Sequence, residues 1–199
     1  VKGRRVFMWK RGKLTVIVGS MFSGKSTELQ RQGHRKELAG ELVLWFKPST
    51  DDRYNFTAIE THDGSSVNAN VVSNSSQILL TINEIEDALE LLVGTVLIDE
   101  VQFFDGGIVK VIDFLLTEGI DVIVAGLDID RFGKPFGVVP TLLAKAEEIV
   151  KLKAVCNSCG DDAWISVGKV DNGEQIMVGG SDEYVPLCRT CYLKQGGTL

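Results

Sequence analysis

The sequence predicts an α/β protein, a mostly parallel sheet flanked by helices, with a small metal-held unit at its end. Three observations predict it. Short apolar runs, Leu14–Val18, Leu42–Phe46, Val96–Ile98 and Asp121–Leu127, alternate with stretches whose apolar residues recur at helical spacing. Buried parallel strands joined by crossover helices read this way. The first run leads directly into a glycine-flanked loop and a helix-compatible segment. The four cysteines form two CxxC pairs in the last quarter of the chain.

Composition bounds the answer. A chain of 199 residues suits one ordinary domain plus a small appendage, enough to bury about 70% of its unfolded surface without a disulfide framework. A net charge of -6 and a pI near 5.0 argue against an extended nucleic-acid surface, which is normally basic. No apolar run approaches the roughly 18 residues of a membrane span. The N-terminal stretch lacks a signal peptide's uninterrupted apolar segment, so a cytoplasmic location is expected.

Residues 1–12 form a basic arm, with Lys2, Arg4, Arg5, Lys10 and Arg11 around the apolar Val6–Trp9. A flexible arm and a partner-contacting arm both fit, and no chemistry is assigned to it. The strand Leu14–Val18 then runs into Gly19, Ser20, Met21, Phe22, Ser23, Gly24, Lys25, Ser26 and Thr27. This spacing turns backbone N–H groups and a helix N-terminus toward the phosphates of a nucleotide. Lys25 carries positive charge to the outer phosphates, and the Ser26 hydroxyl sits where magnesium is held. The helix covers Lys25–Leu38.

Leu42–Phe46, bounded by Gly40 and Pro48, is the next strand, and Lys47–Tyr54 follows at the ligand edge of the sheet. Arg53 in that segment fits both a phosphate-neutralising role and a surface ion pair with Asp51 or Asp52. Apolar residues are sparse from Thr57 to Val72, and His62–Gly64 reads as a turn, so His62 receives no catalytic role. Helical spacing over Ile78–Leu92 predicts a helix stopped by Gly94.

The run Val96–Ile98 ends in two adjacent acids, Asp99 and Glu100. Beyond a phosphate loop, the first such acid supports the magnesium shell and the second can take a proton from the attacking group. Ile108–Leu116 reads as a helix ended by Gly119, and Asp121–Leu127 as a strand. It opens into the Gly- and Pro-containing loop Asp128–Gly137, where Phe132 and Phe136 can line a pocket. Thr141–Glu148 reads as a helix and Ile149–Val155 as a last strand leading out of the core.

In the tail, Cys156, Cys159, Cys188 and Cys191 suit one tetrahedral structural zinc built from two knuckles. A pair of redox thiols is the alternative. Between the knuckles, Gln175–Pro186 is a loop tethered at both bases and able to close over a ligand.

Taken together, GSMFSGKST, FKPSTDDRY, IDEVQFF, AGLD followed by KPFG, and the paired CxxC knuckles with VGG and Tyr184 resemble one family. The chain is similar to the type II, zinc-containing thymidine kinases, from about Lys13 to Tyr192. The resemblance implies a RecA-like phosphate-loop domain over 13–154 and a zinc-ribbon lasso domain over 155–199. It implies transfer of the ATP γ-phosphate to the thymidine 5′-hydroxyl, with Glu100 as general base, Arg53 as catalytic cation, and Asp99 with Ser26 supporting magnesium. Met21, Phe103, Leu127 and Tyr184 resemble the nucleoside pocket, and Gln175, Ile176, Met177, Val178 and Gly179 the lasso segment that reads thymine through its backbone. A homotetramer and feedback inhibition by thymidine triphosphate are further implications.

Two positions depart from the family's bacterial pattern. Ser20 replaces a common Pro, which leaves the loop geometry feasible. Asp130, Arg131, Phe132 stand where Asp, Phe, Arg is usual, so either Phe132 shifts to fill the pocket or Arg131 occupies it. An alternative reading of the whole chain is a phosphate-loop ATPase whose zinc ribbon grips nucleic acid; the acidic net charge weighs against it.

Overall fold

The computed structural model describes residues 11–50, 58–60, 64–169 and 183–198. In chain order the elements are β1 (Leu14–Val18), α1 (Lys25–Leu38), β2 (Leu42–Pro48), β3 (Ala58–Glu60), β4 (Ser66–Asn68), β5 (Asn70–Val72), α2 (Ser76–Leu89) and β6 (Val93–Ile98). They continue with a 3-10 turn (Val101–Phe103), α3 (Ile108–Thr117), β7 (Asp121–Gly126), α4 (Val139–Lys145), β8 (Glu148–Lys151), β9 (Ile165–Gly168), β10 (Tyr184–Leu187) and α5 (Arg189–Lys194).

Six strands make one sheet in the order β5-β2-β6-β7-β1-β8, and every pairing in it is parallel. Parallel pairing brings the C-terminal ends of β1, β2, β6 and β7 to one edge, where α/β sheets bind ligands. The strands are apolar on both faces, and alternate residues divide between two cores. Val16, Val18, Phe46, Val96, Ile98 and Val124 pack with α2, α3 and α4 on one face. Ile17, Val43, Trp45, Leu97, Ile123 and Ala125 pack with Leu29 of α1 and Ile59 of β3 on the other. Each large apolar side chain buried this way contributes roughly 1.5 to 3 kcal/mol, so the two-sided burial of the strands decides the layering.

The predicted sheet and flanking helices are therefore present, with local corrections. Gly94 does not stop a helix but lies within β6; α2 ends earlier, where Glu90 turns left-handed with φ 55. The sparse stretch before Val72 contains strands after all: β3 and β4 pair antiparallel, and β5 joins the sheet edge beside β2. β3 and β4 form a two-stranded sheet of their own, and strands of three residues are too short to show the apolar run that marks a central one. Helix α4 starts at Val139 because Pro140 fits a first helical turn, and Glu148 belongs to β8. Residues 152–155 lie beyond β8.

Helix α1 approaches the sheet through Gly33. A Cβ there would lie 2.2 Å from a ring carbon of Trp45 and 2.9 Å from a methyl of Leu97. Gly33→Ala gains about 1 kcal/mol of helix propensity but overpacks a rigid ring, which costs up to about 3 kcal/mol. The expected net loss is about 2 kcal/mol, read as a lower denaturant midpoint; an unchanged or raised midpoint would contradict the close packing.

A third cluster gathers Ala154, Cys156, Ala163, Ile165, Leu187, Cys188 and Tyr192 around the antiparallel pair β9–β10. Phe22 of the glycine-flanked loop and Ile129 pack against it, so the cysteine-containing unit leans on the loop after β1.

Candidate active site

The loop after β1 is shaped by backbone that few residues adopt. Gly19 has φ 151, and a Cβ on it would lie 2.4 Å from the carbonyl oxygen of Leu152. Gly24 precedes α1 in the left-handed region at φ 84, and Phe22 holds φ 65 without being glycine. Such strain persists where surrounding packing over-determines it, and Phe22 is anchored by the third cluster.

Within the loop, the buried Lys25 donates from Nζ to the carbonyl of Ser20 at 2.9 Å. Ser26 Oγ donates to Asp99 Oδ2 at 2.8 Å, tying the start of α1 to the end of β6. Among the described residues, the hydroxyls of Ser20 and Ser23 are buried without a hydrogen-bond partner. Unsatisfied buried hydroxyls are rare and call for an explanation; phosphate oxygens in the loop would supply the missing acceptors.

Asp99 is buried. Desolvation, and then the charge of Glu100 beside it, push its carboxyl up to about 6 from 3.8, against the pull of the Ser26 hydroxyl, the Glu100 N–H and Lys25. The folded ligand-free protein thus holds this proton more tightly than the unfolded chain. The contribution to stability is fully present below the unfolded value of 3.8 and is lost as pH rises through about 6. Asp99→Asn should therefore flatten part of the fall in denaturant midpoint between those pH values. A profile identical to that of the parent chain would refute it.

Glu100 follows at φ 50, with Phe22 and Glu90 a third non-glycine residue in the left-handed region among the described residues. Its N–H donates to Asp99 Oδ1 at 2.9 Å. Its carboxylate accepts a short hydrogen bond from Nε2 of Gln102. The Gln102 oxygen in turn accepts the N–H of Leu127 at 3.1 Å, at the end of β7.

The residues expected around a nucleoside occupy several elements at this edge. Met21 N–H donates to Ser166 Oγ of β9 at 2.7 Å, a direct bond between the loop and the cysteine-containing unit. Phe103 meets Phe136 edge to face, with centroids 5.8 Å apart. Tyr184 is buried and pairs with Gly168 across β9–β10. Arg131 is buried over the Phe132 ring, and a Cβ on Gly168 would lie 3.0 Å from its Cζ. Arg131 is buried beside Gly168, the partner of Tyr184 across β9–β10, and Phe132 is half-buried. Arg53, His62, and Gln175 to Gly179 lie outside the described residues.

The sulfurs of Cys156, Cys159, Cys188 and Cys191 all lie within 4.8 Å of one another. Cys159 and Cys188 are 3.6 Å apart, close to the spacing of thiolates around one tetrahedral ion. The backbone N–H of Cys188 is the main cause that holds the Cys156 thiol down at about 6. One ligand is thus readily available as thiolate. The donor set fits a metal.

A cavity of about 400 Å³ opens on the flank of the loop, between Gly19, Ser20, Leu152 and Lys153 and the facing Trp164 and Arg189. It includes neither acid of β6 nor any of the expected nucleoside-wall residues.

Residues 12–192 match the family profile described as thymidine kinase. The chain belongs to the thymidine kinase family. Curated relatives named thymidine kinase agree: one from Bacteroides thetaiotaomicron is 45% identical over 94% of this chain and 90% of its own. Another from Porphyromonas gingivalis is 44% identical over 93% of this chain and 87% of its own. A third from Bacteroides fragilis is 43% identical over 92% and 88%.

Two residues of this thymidine kinase family member are not singled out by the sequence pattern. Gln102 sits in the apolar run Val101–Phe104 and is buried there, a polar side chain that needs partners. Ser166 is the buried polar residue of β9. Their isolation among apolar neighbours is a signal; of their partners, Leu127 and Met21 lie 25 and 145 positions away and carry none.

Proposed function

We propose that this protein phosphorylates thymidine at the 5′-hydroxyl with ATP, giving thymidine monophosphate for DNA-precursor salvage. The observation that carries the reading is the Ser26–Asp99 hydrogen bond, which sets a phosphate loop against the acid pair, in a chain of this family. The loop amides and Lys25 hold the phosphates. Magnesium, held through Ser26 with Asp99 behind it, would offset charge on the transferring group. Glu100 takes the 5′-hydroxyl proton as the oxygen bonds to the γ-phosphorus and the bond to ADP breaks. Arg53 stabilises the charge on the phosphoryl group in flight.

Met21, Phe103, Leu127, Phe132 and Tyr184 line the thymidine, and the lasso segment Gln175 to Gly179 reads its base. The four cysteines hold a structural zinc at the base of that lasso, over 155–199, beside the nucleotide domain of 13–154. A paired-CxxC metal site suits the reducing cytoplasm. Thymidine triphosphate joins the recognised base to a triphosphate, which makes it a natural feedback inhibitor. The same reading takes the protein as a homotetramer.

The test is phosphorylation of a nucleoside panel with ATP and magnesium, with ATP consumption measured in parallel against DNA and RNA. Thymidine is expected to drive turnover with one phosphate transferred per ATP. Stimulation by nucleic acid without nucleoside product would favour the ATPase reading.

A further inference from the structure

We propose that Gln102 is a positioning residue that holds the Glu100 carboxylate in place from the end of β7; this rests on the reading of Glu100 as general base. The Gln102 side chain is 4% exposed and both ends of its amide are engaged. Nε2 donates to Glu100 Oε2, and Oε1 accepts the Leu127 N–H at 3.1 Å. The orientation is settled by these partners, because a flipped amide would face N–H against N–H and oxygen against carboxylate.

The surrounding backbone makes room for this side chain and no larger arrangement. A Cβ on Gly126 would lie 2.6 Å from Gln102 Oε1, and one on Gly137, itself at φ 52, would lie 2.5 Å from the Gln102 carbonyl oxygen. Glu100 needs such a brace. It stands in a left-handed backbone conformation at a strand end, half-buried, with several side-chain rotors to its carboxyl group. A base misplaced by about 1 Å can lose on the order of 100-fold in rate. An amide fixed to β7 removes that freedom before substrate arrives, and a locked supporting shell gives a site its precision. The same amide ties the base to Leu127, an expected wall of the nucleoside pocket, so one side chain sets the distance between the proton acceptor and the pocket.

The decisive variants are Gln102→Glu and Gln102→Met, assayed for kcat and for the KM of both substrates, alone and with Glu100→Gln. Glu keeps the shape and the acceptor for the Leu127 N–H but replaces the donor to Glu100 with an oxygen. Expected is a kcat loss of about ten-fold or more, part of the 100- to 10,000-fold span of a general base, with both KM values within about three-fold. On the Glu100→Gln background the same change should cost less than about three-fold, since two groups acting as one unit are not additive.

If Gln102→Glu turns over like the parent chain, or multiplies the Glu100→Gln loss in full, the positioning role is overturned. Should the charged variant fail to fold, Gln102→Met supports the same comparison. A Glu100→Gln protein with parental kcat overturns the base assignment instead, a result distinct from either.

Discussion

Glu100→Gln is expected to lower kcat by about 100- to 10,000-fold while leaving ATP binding nearly intact. The size follows from what the substitution removes. Gln keeps the volume of Glu and can still accept hydrogen bonds, but it cannot take the 5′-hydroxyl proton at neutral pH. The phosphate loop is untouched: Lys25 keeps its bond to Ser20, and Ser26 keeps its bond to Asp99. Removing the neighbouring charge also relieves one of the two causes that raise the Asp99 pKa, so that carboxylate is expected to ionise more readily. The loss should therefore appear in kcat, with ATP affinity measured separately by calorimetry. Parental turnover would remove Glu100 from the mechanism; a loss confined to ATP affinity would move it to the magnesium shell.

Removing the proposed zinc is expected to have the second large effect, acting through folding. The third cluster contains two of the four cysteines, and its other buried members are two alanines, Ile165, Leu187 and Tyr192. A core that small does not hold a unit of its size, whereas a structural zinc site carries roughly 10 to 16 kcal/mol of apparent binding energy. Elemental analysis of protein purified without chelator should find about one zinc per chain. Cys188→Ser should lose the metal and open residues 155–199 to proteolysis. Because Ser166 accepts the Met21 N–H and Phe22 packs against this cluster, thymidine binding should fail together with the unit. The main sheet has its own two cores and should remain folded. Zinc-free protein with full activity and unchanged protease resistance would overturn the assignment.

The layered sheet was legible because its signals are local. Apolar runs such as Val96–Ile98, helical spacing over Ile108–Leu116 and the glycines of the loop after β1 each constrain their own neighbourhood. The errors fell where local signals conflict. Gly94 resembles a helix stop, yet β6 absorbs it because a parallel strand buried on both faces tolerates one missing side chain. The strands between Ala58 and Val72 escape the pattern because three-residue strands, whether paired with each other or added to the sheet edge, are held by a neighbour's backbone and need no apolar run.

By itself, the sequence determined the phosphate loop, the acid pair and the cysteine pairs, because each is a spacing rule fixed by covalent geometry over a few residues. The tertiary structure alone decided what those groups touch. It set Ser26 against Asp99, put the four sulfurs within reach of one ion, and gave Arg131 the buried place beside Gly168. It also braced Glu100 through Gln102 to Leu127. Those contacts join separate strand ends and loops, and their distances follow from sheet order and packing, which no local spacing encodes.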